Sequence, residues 1–230
     1  MNKVNYSKET EKILGQIASG AEPEKGGQSP RLLLHSCCAP CSSYVMEYLR
    51  EYFDLTVFYY NPNITAEKEY RYRLAEEKRL IEAYNRQVEE GSFTGMHSTA
   101  KARRIKIMES PYDPDNWYQA VRGLEDCREG GSRCFVCFET RLRETARQAA
   151  AEGFDWFTTT LTISPLKNAA RLNEIGQKCA EEYGVPFLPS DFKKKDGYKR
   201  SIELSSMFGL YRQNYCGCEF SRRQQDPDRE

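Results

Sequence analysis

Short apolar segments alternate with longer helical ones from Arg31 onward, and this alternation constrains the fold more than any other feature. A buried strand is predicted for the short apolar run Arg31–Ser36, and two more are predicted for Leu55–Asn61 and Phe154–Ile163, which are rich in β-branched and aromatic residues. Helices are predicted where apolar residues recur at helical spacing or helix formers dominate: Cys41–Phe53, Thr65–Asn85, Cys134–Glu152 and Leu172–Tyr183. Strands that alternate with helices are typical of βαβ units. The sequence therefore predicts an α/β fold, in which helices cover both faces of a parallel sheet.

The segments between these elements are less regular. A third strand is predicted at Gln87–Phe93 and a last short strand at Val185–Pro189, whereas Met96–Glu109 and Pro114–Glu125 resemble short helices. The last strand is followed by a cysteine-containing C-terminal extension.

A length of 230 residues is enough for one domain with a sizeable core. The predicted organisation is an N-terminal extension over residues 1–30, helical and then flexible at AEPEKGGQSP, followed by one domain over 31–223. Residues 224–230 are predicted to be a flexible tail.

No run of 18 apolar residues occurs, so the sequence predicts no membrane span. The charged N-terminal segment lacks the apolar stretch of a signal peptide, and the expected location is the cytoplasm. Because 34 basic residues balance 34 acidic ones, no global charge attracts nucleic acid, and any polyanion site depends on local patches.

The chain has nine cysteines, and eight of them fall in three groups. The first group is Cys37, Cys38 and Cys41, directly after the first predicted strand; the second is Cys134 and Cys137, with Cys127 seven residues before; the third is Cys216 and Cys218. Cys179 stands alone on the apolar face of a predicted helix, which indicates a core residue. Clustered thiols in the cytoplasm more often bind metal or perform redox chemistry than form structural disulfides.

The first two groups are predicted to lie at helix N-termini, where partial positive charge stabilises thiolates. Two pairs of thiolates suit either a tetrahedral zinc ion or a [4Fe–4S] cluster. The adjacent Cys37 and Cys38 are unlike a zinc ribbon, which usually offers two CxxC motifs. With only two histidines in the chain, the thiolate supply suits iron–sulfur at least as well.

Cys216 and Cys218 are separated by one glycine, so they can form a small, strained disulfide of the labile, catalytic kind. The alternatives are that they are further metal ligands or buried thiols. His35, on the first strand, is predicted to be a core histidine, with a supporting role beside the cysteines as the alternative. Tyr60 and Asn61 end the second strand at the same edge of the sheet, where either could reach a substrate.

Residues 193–200 carry five basic side chains and one acidic one, and Arg222 and Arg223 follow the last cysteine pair. Such a run is usually a solvated face. Here it is interleaved with Tyr198, Tyr211 and Tyr215, which suits phosphate contacts and base stacking on a nucleic acid. The loop after the first strand contains no glycine, so it cannot cradle a phosphate in the usual way, and use of ATP is disfavoured.

At these motifs the chain resembles the cobalamin-independent epoxyqueuosine reductases, the QueH family. The resemblance is carried by five segments that cover most of residues 31–223: LLLHSCCAPCSSYV (32–45), FYYNPNI (58–64), GLEDCREGGSRCFVCFETRL (123–142), TTTLTISPLKN (158–168) and GYKRSIELSSMFGLYRQNYCGCEFSRR (197–223). It implies a Rossmann-like catalytic domain of the HUP or PP-loop type, with thiols where relatives have a phosphate loop.

The resemblance also implies the activity, which is reduction of epoxyqueuosine to queuosine at the wobble position of the tRNA anticodon. It places a [4Fe–4S] cluster on Cys37, Cys38, Cys134 and Cys137 and a redox-active disulfide on Cys216 and Cys218. The expected partners are this tRNA and an unidentified electron donor, with no membrane.

Two hypotheses extend the resemblance. An additional iron is held, or the cluster is tuned, by Cys41 or Cys127, and Tyr60 or Asp191 supplies a proton. The alternative functions are an iron–sulfur-dependent tRNA thiolase and a zinc-stabilised RNA-binding module without catalysis.

Overall fold

Four parallel strands form the central sheet of the computed structural model, which describes residues 4–20 and 29–225. The strands are β1 (Arg31–His35), β2 (Asp54–Tyr59), β3 (Lys106–Glu109) and β4 (Trp156–Thr159), in the spatial order β3-β2-β1-β4. Strand β1 pairs in parallel with both β2 and β4. The predicted parallel α/β fold is confirmed.

Helices connect the strands and cover the sheet. They are α1 (Tyr6–Ala18), α2 (Ala39–Leu49), α3 (Glu67–Glu90), α4 (Pro114–Ala120), α5 (Ser132–Ala151), α6 (Ala169–Tyr183), α7 (Gly197–Met207) and α8 (Glu219–Gln225). A 3-10 turn, Thr160–Ile163, follows β4.

Both faces of the sheet are buried, as alternation along β1 shows. Leu32 and Leu34 pack in one core with residues of α2 and α3, whereas Leu33 packs in a second core with residues of α5 and α6. Side chains of successive strand residues point to opposite faces, so each face needs its own layer of helices.

Helix α1 packs on the first of these cores. Asn5 caps its N-terminus by accepting from the Lys8 backbone N–H, and Leu14 and Ile17 are buried. The Thr10 hydroxyl donates to the carbonyl of Pro189 at 2.7 Å. The predicted N-terminal helix is confirmed, while residues 21–28 of the predicted linker and 226–230 of the predicted tail lie outside the described residues.

Two predictions for the middle of the chain are wrong. Gln87–Phe93 is not a strand, because α3 continues to Glu90 and ends at Gly91, whose φ of 62° lies in the left-handed region that glycine favours. The helix predicted at Met96–Glu109 is instead a loop followed by β3, which pairs with β2. The side chains of β3 are exposed or half-buried, so this edge strand lacks an apolar signal.

The two remaining strand predictions are too long. Only Trp156–Thr159 of Phe154–Ile163 is strand, because the hydroxyl of Thr159 accepts from the Leu161 N–H and turns the chain into the 3-10 turn. Val185–Pro189 contributes one parallel bridge, Phe157 to Phe187. Among the helices that the structure describes, none has the length and apolar character needed to cross a membrane.

Candidate metal and redox site

The order of the strands places a crevice between β1 and β4. The chain leaves β1 toward α2 on one face and leaves β4 toward α6 on the other, so the two following loops diverge at the carboxyl edge of the sheet. Ligands of open α/β folds bind at such a switch point. The loop after β1 carries Cys37, and its backbone N–H donates to the hydroxyl of Thr160, in the loop after β4, at 3.4 Å.

The first cysteine group is compact. The Sγ atoms of Cys37, Cys38 and Cys41 all lie within 4.8 Å of one another, and this is the group of potential metal ligands found among the described residues. Cys38 is the N-cap residue of α2, and Pro40 lies in its first turn. The helix N-terminus thus brings partial positive charge to three sulfurs that could hold a metal ion.

Hydrogen bonds concentrate negative charge on one sulfur of this group. The thiols of Cys38 and then Cys41 hold the pKa of Cys37 well below its usual value. The same contact with Cys37 raises the pKa of Cys38 to about 12, and it also raises that of Cys41. Without metal, Cys37 is therefore the first of the three thiols to lose its proton.

A polar side chain from the C-terminal region reaches the same group. The Nε2 of Gln213 lies 2.7 Å from the Sγ of Cys38 and donates to it, while the Gln213 Oε1 is buried without a partner in the described structure. Thr160 Oγ1 lies 3.7 Å from the Cys37 Sγ. Donors of this kind stabilise sulfur ligands and tune the metal that they hold.

The second group opens α5. Cys134 lies in its first turn, where the Gly130 N–H lies 3.2 Å from the thiol sulfur and donates to it. Cys137 is buried in a small apolar cluster that also contains Trp117 and Cys218. Burial raises the pKa of both Cys134 and Cys137 above the usual thiol value.

The third group lies in a loop fixed to the end of β2. The Asn63 side chain donates to the carbonyl of Cys216 at 3.2 Å, and the Thr65 N–H donates to that of Gly217 at 3.3 Å. Gly217 has φ of 104°, and a Cβ there would lie 2.7 Å from Ile64, so the loop requires glycine.

Cys216 and Cys218 are free thiols with unequal acidity. A hydrogen bond from the Cys218 thiol lowers the pKa of Cys216 to about 6, against the opposing effect of burial. The contact raises the pKa of Cys218 well above its usual range. Cys216 is therefore the nucleophilic sulfur of the pair at neutral pH.

Two adjoining cavities bring the three groups together. The larger, about 280 Å³, is lined by Cys37, Cys41 and Cys216. The smaller, about 30 Å³, is lined by Cys134, Cys137, Cys216 and Cys218. Since Cys216 lines both, the loop that carries it contributes to the walls of both cavities.

The other predicted candidates lie outside these cavities. His35 is buried between Thr159 and the Tyr60 carbonyl, and burial lowers its pKa to about 3, so the prediction of a core histidine is confirmed. The Asn61 side chain donates to the carbonyl of Ser36 at 2.8 Å and supports the cysteine loop from behind. Tyr60 and Asp191 line neither cavity, which leaves the hypothesis that they supply a proton without support.

The two remaining cysteines differ from each other. Cys179 is 1% exposed in the core between α6 and the sheet, as predicted. Cys127 is half-buried, and it is not in the group of potential ligands formed by the first three cysteines.

The aromatic and basic candidates separate into two places. The larger cavity is lined by Tyr198, Arg212 and Tyr215, so these side chains can contact a molecule that binds there. Residues 193–195 line a groove beside α1, which Lys167 also lines, and Tyr211 packs against Tyr72. The side chain of Arg223 lies outside the described part of the structure.

Three residues that line the larger cavity were missed by the sequence analysis: Arg141, Lys167 and Gln213. Lys167 lies in the SPLKN segment after β4, and its position at the carboxyl end of a strand was the available signal. Arg141 lies four residues after Cys137 on the same helix, so helical spacing was the available signal there. Gln213 carried no such signal, because loop packing alone brings it to Cys38.

Comparisons with known proteins identify the family of this chain. The model of the family described as epoxyqueuosine reductase QueH matches residues 32–224. A protein of that name from Staphylococcus aureus is 40% identical over 228 residues, which are 98% of this chain and 87% of the relative. The one from Streptococcus pyogenes is 39% identical over 226 residues, or 98% and 81% of the two chains. The one from Thermotoga maritima is 36% identical over 190 residues, or 83% and 89%.

Proposed function

The chain belongs to the epoxyqueuosine reductase QueH family, and we propose that it reduces epoxyqueuosine at the wobble position of tRNA to queuosine, the last step in the synthesis of this nucleoside. The observation that carries the proposal is the convergence of three cysteine groups on two adjoining cavities. As tRNA is its substrate, we expect the enzyme to act in the cytoplasm.

The reaction removes one oxygen and needs two electrons and two protons. The two carbon–oxygen bonds of the epoxide break, a carbon–carbon double bond forms, and the oxygen leaves as water. A thiolate–thiol pair that closes to a disulfide supplies both electrons and one proton, and the solvent supplies the second proton, so the reaction balances with Cys216 and Cys218 as the reductant. An external electron donor must then reduce the disulfide for the next turnover.

Cys216 suits the role of the first sulfur to react. It lines both cavities, and the lowered pKa leaves it largely as thiolate at neutral pH. Cys218 is adjacent and keeps its proton, which suits the resolving thiol.

The cysteines also suit an iron–sulfur cofactor. We propose that Cys37, Cys38, Cys134 and Cys137 hold a [4Fe–4S] cluster, since they offer two pairs of sulfurs at two helix N-termini. When bound, an iron–sulfur group supplies one-electron transfer, and an iron with an open position supplies Lewis acidity. Cys41 is the better of the two candidates for an additional iron, because it shares the compact group and Cys127 does not.

The walls of the larger cavity suit a nucleoside. Tyr198 and Tyr215 offer ring faces and Arg212 offers positive charge. RNA bases are recognised when they are splayed out and stacked on such side chains, and a base that undergoes chemistry must leave its stack. We propose that the wobble nucleoside enters here while the anticodon loop stays outside.

The test is nucleoside analysis of tRNA from a strain that lacks the gene for this chain and has no other epoxyqueuosine reductase. The expected result is accumulation of epoxyqueuosine, with queuosine restored by the wild-type chain and not by one carrying Cys216→Ser. Unchanged queuosine in the deletion strain would contradict the proposal.

The alternatives predict different outcomes for the purified protein. A thiolase would add sulfur to tRNA and consume ATP. A zinc-stabilised RNA-binding module would stay colourless after anaerobic reconstitution with iron and sulfide. The proposed enzyme acquires a broad visible absorption band that bleaches with dithionite.

A further inference from the structure

Two cations line both of the cavities that hold the cysteines. Lys167 is half-buried in the loop after β4, and Arg141 is 3% exposed on α5. Arg141 donates from Nε to the Cys137 carbonyl at 3.2 Å and lies over the ring of Phe138. In the part of the chain that the structure describes, neither cation forms an ion pair with a carboxylate.

Lys167 differs from the other lysines near the site in having its donors available. Lys193 pairs with Asp191, and Lys195 pairs with Glu11. The Lys167 ammonium donates to no protein atom within residues 4–20 and 29–225. An unpaired cation that is partly removed from water costs free energy, and a bound ligand or substrate that accepts its hydrogen bonds would offset that cost.

The groups that face Lys167 are mostly thiols. Burial alone would lower its pKa, but Cys37, Cys41 and Cys216 raise it above the usual value. Glu129 is the one carboxylate that lines both cavities, and its Oε2 accepts from the Ser221 hydroxyl at 2.7 Å. The cation thus lines the same two cavities as the sulfur that we propose to react first.

We propose that Lys167 is a catalytic residue, which donates hydrogen bonds to the epoxide oxygen and stabilises the negative charge that builds there as the carbon–oxygen bonds break. Arg141 adds a second positive charge behind it. The inference rests on the proposed function. Atoms and electrons balance without net proton loss from the amine. The two sulfurs lose two electrons and form an S–S bond, while the epoxide gains these electrons, loses both carbon–oxygen bonds and becomes a carbon–carbon double bond. The oxygen leaves as water with one proton from the Cys218 thiol and one from the solvent, because Cys216 reacts as the thiolate.

Turnover of tRNA that carries epoxyqueuosine tests this role in Lys167→Met, Lys167→Arg and the control Lys178→Met, an exposed lysine on α6. Loss of one preorganised donor to a developing oxyanion lowers kcat about 100-fold with little change in KM, and this is the result expected for Lys167→Met. Lys167→Arg keeps the charge, and its kcat is expected to be at least about tenfold higher than that of Lys167→Met. Lys178→Met is expected to match the wild type.

A second readout does not depend on turnover. Alkylation of Cys216 by anionic iodoacetate and by neutral iodoacetamide is followed by mass spectrometry, and the ratio of the two rates reports the local positive potential. Lys167→Met removes a positive charge from the cavity that Cys216 lines, and the ratio is expected to fall by up to about fivefold, the effect of two unit charges about 4 Å apart in water.

An unchanged ratio in Lys167→Met would overturn the proposal, as would turnover equal to that of Lys178→Met. A wild-type protein that makes no queuosine would contradict the proposed function instead. In that case the alkylation ratio still decides whether a cation stands beside Cys216.

Discussion

At the scale of single residues, Cys38 combines burial, a helix N-terminus and a hydrogen bond from Gln213. If it is a cluster ligand, Cys38→Ala loses bound iron, the visible band and activity together. The matched control is Cys179→Ala, which removes a buried thiol of the core at a cost of about 1 kcal/mol and keeps the iron. Iron content after reconstitution measures both, and full iron in Cys38→Ala would remove this residue from the ligand set.

The acidity of Cys216 is a second prediction at this scale. Its pKa of about 6 means that the reactive thiolate is present above this pH and is lost as pH falls through it. The alkylation rate of Cys216 is expected to follow that curve. In Cys218→Ala the donor thiol is gone, so the midpoint moves up toward the usual value of about 8.5. A midpoint that does not move would show that Cys218 is not the cause.

Sequence reasoning could find the residues that lie in motifs of defined spacing. The CCxxC, CxxC and CGC motifs identify seven cysteines, and the structure brings these groups to two adjoining cavities. Lys167 and Gln213 lack such a pattern, because each reaches the cysteines only after distant segments pack. His35 was predictable as a core residue, since a lone histidine on an apolar strand usually has backbone or hydroxyl partners.

At the scale of elements, α2 and α7 are joined by a buried ion pair. Arg200 donates to both carboxylate oxygens of Glu47, at 2.6 and 2.9 Å, and the Glu47 side chain is 1% exposed. The pair fixes α7, which carries Tyr198 and Ser201 into the wall of the larger cavity.

Arg200→Ala leaves the buried Glu47 carboxylate without its charged partner and with only the hydrogen bond from the His97 backbone N–H. The expected loss in the free energy of unfolding is about 3–5 kcal/mol. Arg71→Ala is the control, because its pair with Glu67 is exposed and worth about 0.5 kcal/mol. Urea denaturation measures both, and equal losses in the two variants would refute a structural role for the buried pair.

Elements with a continuous apolar run were predictable, whereas elements defined by tertiary contacts were not. Strand β1 is buried on both faces and reads as strand from its sequence alone. Strand β3 has no buried residue, and it forms because its backbone pairs with the edge of β2. Helix α7 was missed because its basic first turn resembles a solvated tail, although Arg200 and Ser201 are buried.

At the scale of the whole molecule, a buried carboxyl links stability to pH. Burial raises the pKa of Glu77 to about 7, although the Ser42 hydroxyl donates to it at 2.6 Å. The folded state therefore favours the neutral acid. The resulting contribution to the free energy of unfolding is complete below the unfolded pKa of about 4.3 and is lost as pH rises to about 7.

Glu77→Gln is expected to remove this dependence. As pH rises from about 4 to about 7, the free energy of unfolding of the variant increases by on the order of 3 kcal/mol relative to that of the wild type. Glu82→Gln, at an exposed position of the same helix, is the control. A difference between wild type and Glu77→Gln that stays constant with pH would show that Glu77 is charged in the folded state.

The central claim is that the Cys216–Cys218 pair supplies the electrons within a site that all three cysteine groups form. The most direct test is a single turnover: reduced, reconstituted protein is mixed anaerobically with tRNA that carries epoxyqueuosine, without added reductant. Queuosine and the thiol state of each cysteine are then measured by mass spectrometry. The expected result is one new disulfide between Cys216 and Cys218 for each queuosine formed. Queuosine formed while both thiols stay reduced would contradict the account.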